Sequence, residues 1–125
     1  MAEIHWAYET ISCTAEGAVE KGDLLMLGTA WPQVKKTTGD TVYVIGVALA
    51  PAATTEQVKV GLCGVVCNLR ASTTANAGVA ITPVTDGEFA TAAQAGQACG
   101  ITLEAASAEN DDVPCLIGGL GWLLA

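Results

Sequence analysis

Positive charge is scarce in this chain of 125 residues. Five Lys+Arg stand against thirteen Asp+Glu, a net charge of −8. Gripping a phosphate backbone needs clustered cations, and only Lys35 and Lys36 adjoin one another. A nucleic-acid role is therefore not expected. Histidine occurs once, as His5, with no paired carboxylate or nucleophile beside it, which leaves little for acid–base or nucleophilic catalysis. No G-x-S-x-G, no H-E-x-x-H and no phosphate-binding glycine loop occurs, so the chain does not read as an enzyme. Long apolar runs are also missing. The greasiest stretch, "CLIGGLGWLLA", is broken by glycines and falls short of the roughly 20 residues a spanning helix needs. "MAEIHWAYET" has neither the basic nor the apolar part of a leader. No membrane partner is expected, and synthesis in a reducing cytoplasm is.

Charged residues make up only 14%, against about 25% in an average domain. Small neutral residues and 14 glycines fill much of the rest. A chain of this length buries enough surface for one independent core. So few charges leave neutral or apolar surface outside that core, and such surface tends to find a partner.

The cysteines, Cys13, Cys63, Cys67, Cys99 and Cys115, are odd in number. Cys63 and Cys67 are spaced C-x3-C, but Cys99 and Cys115 supply no second close pair for a structural zinc. They read as small buried hydrophobes. The acidic run Glu109, Asp111, Asp112 lacks the alternating spacing and distal Glu of a calcium loop, and reads as a solvated turn. No metal and no cofactor is expected.

What the sequence does contain is short strands set off by Gly, Pro, Asp, Asn and Thr. "LLML" at 24–27 reads as a strand covered on both sides, "VYVIGVAL" at 42–49 as a buried strand bent at Gly46, and Val58, Val60 and Leu62 alternate with Lys59, Gly61 and Cys63. Three blocks then recur: "KGDLLM" as "AGVAIT" 56 residues on, "IGVALAPA" as "CGITLEAA" 54 on, and "EQVKVGLCG" as "DDVPCLIGG" 55 on. This order reads as an internal duplication over 17–64 and 72–119. Independent short-strand patterning is the other reading. Ahead of the repeats, Ile4, Trp6 and Tyr8 fall on one face of an extended segment. It either reaches a partner as an arm with aromatic anchors or folds back onto its own core.

The ordered motifs "G-x-V-x-x-G-D-L-L" (17–25), "IGVAL", "VKVGLCGVV", "AGVAIT", "CGITLEAA" and "VPCLIGG" resemble the small capsid cement, or head decoration, proteins of tailed bacteriophages. The resemblance spans about residues 15–119 and rests on glycine and valine patterns. It implies an all-β, single-domain bent-ribbon barrel (β-clip or β-tulip-like) over 15–125 and an N-terminal arm over 1–14. It further implies a homotrimer on the outer surface of the expanded capsid, cementing neighbouring major capsid proteins against internal DNA pressure. Ile4, Trp6 and Tyr8 would then lie against the shell, and the family offers no catalytic residues to carry over. The competing reading is a small β-barrel binding or carrier module, lipoyl-like or carbohydrate-binding. A lipoyl carrier wants a lysine between the repeats, and "NLRASTTANAG" there has only Arg70.

Overall fold

The computed structural model describes residues 5–6, 10–62, 64–92 and 98–118. Among them the secondary structure is all β: β1 (His5–Trp6), β2 (Thr10–Ala15), β3 (Leu24–Leu27), β4 (Gln33–Lys36), β5 (Gly46–Ala48), β6 (Gln57–Gly61), β7 (Val66–Arg70), β8 (Ala80–Pro83), β9 (Phe89–Thr91), β10 (Gly100–Thr102) and β11 (Asp112–Ile117). Strands β2-β4-β3-β5-β6 close a barrel, and a six-stranded sheet runs β1-β7-β11-β10-β8-β9. Residues 10–15 thus belong to the barrel, and of the expected arm only the residues before 10 precede it.

The second sheet repeats the barrel pair by pair. Leu24↔Val47 and Leu25↔Gly46 reappear as Ala80↔Ile101 and Ile81↔Gly100. Val47↔Gly61 and Ala48↔Val60 reappear as Ile101↔Leu116 and Thr102↔Cys115. Cys13↔Val58 becomes Leu69↔Val113, and Leu27↔Val34 becomes Pro83↔Phe89. The parallel contact Ala15↔Val34 that helps close the barrel returns as the parallel bridge Ala71↔Phe89. Even the turns agree: Thr55 and Asn110, at φ 74 and φ 69, donate their amides to Ala15 and Ala71. Two units therefore share one architecture, β2–β6 and β7–β11, with β1 added to the edge of the second.

Side-chain alternation explains the burial. In β6, Val58 and Val60 are buried while Gln57 and Lys59 are exposed, as a period-two strand requires. The first barrel encloses Cys13, Ala15, Val19, Leu25, Val34, Ala48, Ala52, Val58 and Val60. Their register equivalents in the second unit, from Leu69 to Cys115, are all buried too. One exception to strand chemistry is Pro114, in the interior strand β11. Its missing donor falls where β10 has already ended at Thr102, and its carbonyl still accepts the Leu103 N–H at 2.9 Å.

Two strand expectations are shortened. "VYVIGVAL" keeps only Gly46–Ala48 as strand, and Tyr43 lies 64% exposed. In "LLML", Leu24 and Leu25 are buried on opposite faces, but Leu27 is half-exposed at the strand end. The "DG" turn holds: Asp86 and Gly87, both at positive φ, link β8 to β9.

Candidate functional site

Titratable side chains gather where the two units meet. Asp23 follows the turn before β3 and is 1% exposed. Its Oδ2 accepts the Glu20 N–H at 2.8 Å and lies 3.7 Å from Lys36 Nζ. Its Oδ1 lies 3.4 Å from Arg70 Nη2. Arg70 comes from β7 in the second unit. Its Nε donates to Glu88 Oε2 at 2.8 Å, its Nη2 to the Asp86 carbonyl at 2.9 Å, and its Nη1 lies 3.7 Å from Glu20. Burial pushes the Asp23 carboxyl up, against the pull of the Glu20 amide, Lys36 and Arg70. The hydrogen bond to Glu88 leads in raising Arg70. Backbone contacts complete the seam: Leu24 donates to Gly87 O at 2.9 Å, and Thr37 Oγ1 to Val84 O at 2.7 Å. Nothing in this cluster forms a nucleophile–base pair, and its charges are spent on one another. It is a structural clamp.

Of the residues singled out from the sequence, the structure brings together Cys67 and Cys115, paired across β7 and β11, with Cys99 in the same core. Ile4 and Tyr8 lie outside the described residues. Trp6 lies in β1, whose backbone pairs His5 with Cys67 and Trp6 with Val66. The described part of the N-terminal segment therefore adds a strand to the second unit. Of the acidic run, Asp111 is committed to its own turn, where Oδ2 accepts from Ser107 N, Ser107 Oγ and Ala108 N at 2.9–3.1 Å. Cys63 lies outside the described residues. Cys13, Cys67, Cys99 and Cys115 are buried, and none of them is in a disulfide. Burial raises Cys13, pushes Cys99 up to about 12 and raises Cys115 as well. Thiolate is the reactive form. At pH 8, Cys13, Cys99 and Cys115 should therefore resist iodoacetamide in the native protein and label fully in denaturant. Peptide mass mapping checks this, and native labelling of Cys99 or Cys115 would contradict the burial.

With no reactive constellation among the described residues, kinship becomes the decisive observation. A family model described as "Phage cement protein" matches residues 6–117. The chain belongs to the phage cement protein family. No curated protein sequence matches it. Among solved structures it is similar to the one titled "The crystal structure of head fiber gp8.5 N base in bacteriophage phi29". The TM-score is 0.73 at 17% identity, covering 92% of this chain and 95% of that one. At that identity the likeness concerns the fold.

For a cement-family protein the relevant chemistry is surface. Among the described residues, the large hydrophobic side chains left exposed are Leu27 at 50%, Trp31 at 66%, Tyr43 at 64% and Leu103 at 47%. Leu27 and Trp31 belong to the β3–β4 hairpin, and Leu103 follows β10. Sequence reading missed all four. The available signal for Trp31 was its seat in "GTAWPQV", an aromatic between turn residues rather than in a strand. The Asp23–Arg70 clamp left no signal, since its members are 47 residues apart.

Proposed function

We propose that this chain is a structural virion protein that binds the outer surface of the expanded phage capsid as a homotrimer. There it cements neighbouring major capsid proteins against internal DNA pressure. The observation that carries this reading is the family match over residues 6–117. The phi29 structure with the same fold is a head-fiber base by its title, which supports placement on the head. An acidic surface suits a protein kept outside the DNA. The chain would be made in the bacterial cytoplasm, act on the virion exterior and carry out no catalytic step. Its partners are the major capsid protein and further copies of itself, with neither nucleic acid nor membrane.

The test is co-sedimentation of purified protein with expanded and unexpanded capsids of its phage. Binding to expanded shells, with raised resistance of filled heads to heating, is the expected result. Absence of binding to every expanded shell refutes the proposal. Within this reading the N-terminal segment carries anchors at Ile4, Trp6 and Tyr8. Replacing Trp6 and Tyr8 by Ser should weaken capsid binding by at least about 10-fold, measured by titration on expanded capsids.

A further inference from the structure

The seam inside the chain uses two different faces. One is on the first unit, where Leu25 and Ala48 point into their own barrel while Leu24, Val47 and Leu49 join the core of the second unit. The other is on the second unit, where Arg70 and the turn after β8 press onto Asp23 and Leu24. Because the units share one register, each face exists twice, and the described residues leave each second example partly open. The equivalents of Leu24, Val47 and Leu49 are Ala80, Ile101 and Leu103. The first set is buried; Ala80 and Ile101 are only partly buried and Leu103 is 47% exposed. The equivalent of the β8–β9 turn is the β3–β4 hairpin tip, with Trp31 66% exposed, and buried Pro83 is matched by half-exposed Leu27.

Charge separates the used seam from the free faces. On the first unit the seam carries Glu20, Asp23 and Lys36; their equivalents are Asn76, Val79 and Thr91. On the second unit it carries Arg70 and Glu88; their equivalents are Thr14 and Gln33. All five charged groups are replaced by neutral ones, on both faces together. The charges that remain beside the hairpin, Glu16 and Lys35, lie 4.0 Å apart and answer each other, so the free faces could meet without stranding a lone ion. A cavity of about 390 Å³ lined by Thr74, Asn76 and Thr91, among others, lies at the first of them.

We propose that the free face at Val79, Ala80, Ile101 and Leu103 takes the β3–β4 hairpin, with Trp31, of a second copy of this chain, repeating between copies the contact made inside each. This rests on the self-assembly proposed above and names its contact. Because the two patches differ, copies join head to tail, and the assembly is finite only if the rotation closes.

Grafting the internal ion pair onto the external contact tests it. Val79→Asp and Thr14→Arg place a lone charge at the equivalents of Asp23 and Arg70. Each should raise the self-association constant (as Kd) by at least about 10-fold, and the double variant should recover most of the loss. Sedimentation equilibrium gives the constants and circular dichroism confirms the fold. If either substitution fails to fold, Leu103→Asp and Trp31→Asp, both at exposed positions, should weaken association by a similar factor. A wild-type trimer left intact by these changes overturns this contact while leaving the trimer standing. So does a double variant no better than its parents. A wild type that stays monomeric at every concentration also overturns it, and the capsid-binding assay then decides the cement reading separately.

Discussion

Arg70→Ala should lower the unfolding free energy by about 2–4 kcal/mol near neutral pH. The figure lies below that for a fully buried pair because the Arg70 side chain is 25% exposed. The loss comes mainly from what is left behind. Asp23, 1% exposed, would keep only Lys36 at 3.7 Å and the Glu20 amide. Glu88 would lose its hydrogen bond and the Asp86 carbonyl its donor. The sign with pH follows from Asp23. Its folded carboxyl is already raised by burial, so the stability tied to that shift is present in acid and lost as pH rises through the folded value. Removing a cation penalises only the ionised carboxylate. The Arg70→Ala defect should therefore be largest near neutrality and shrink as Asp23 is protonated. Arg70→Lys should recover less than half, since one ammonium cannot serve Asp23, Glu20, Glu88 and the Asp86 carbonyl in a fixed fork. Urea melts across pH check all three statements, and a defect that grows in acid would contradict this account.

Gly46→Ala and Gly100→Ala should each cost about 2–4 kcal/mol. The two glycines are register equivalents at the starts of β5 and β10. A Cβ at Gly46 would press on the carbonyl oxygen of Gly61, and one at Gly100 on that of Leu116. Both obstacles are backbone in the neighbouring strand, so relief requires opening the β5–β6 or β10–β11 ladder rather than rotating a side chain. Gly39→Ala is the control. Nothing lies within 4 Å of its added carbon, and the change should stay within about 0.5 kcal/mol. Equal losses at all three positions would show that chain flexibility, not close approach, sets the effect.

Glycine also explains what could be read in advance. Three of the strand pairs were visible in the sequence because their spacing is fixed by small residues and short alternating strands: "LLML" with "AITP", "GVA" with "GIT", "QVKVG" with "DVPCLI". The other two were not. "TISCTA" and "VCNLRA" occupy the same place in the fold, as do "QVKK" and "FAT". Their residue types differ because one face of each meets a different neighbour. Val34 and Phe89 are both fully buried in their own unit, so volume could change while register did not. The clamp was illegible for another reason. Asp23 and Arg70 look like ordinary turn and loop charges until the fold puts them 3.4 Å apart. Trp31 and Leu103 escaped because nothing in a single strand's pattern says which outward side chain another unit will cover.

The clamp has a further consequence, for sorting. Beyond Lys36 on its own face, Asp23 draws its cation from the patch that bears Arg70. Laid against the neutral patch around Thr14 of another copy, the same face would bury an ion with no counter-charge from that patch, which is strongly unfavourable. Many copies made at once can thus discriminate between closing their own seam and invading a neighbour's. The charged seam acts as an address written once per chain.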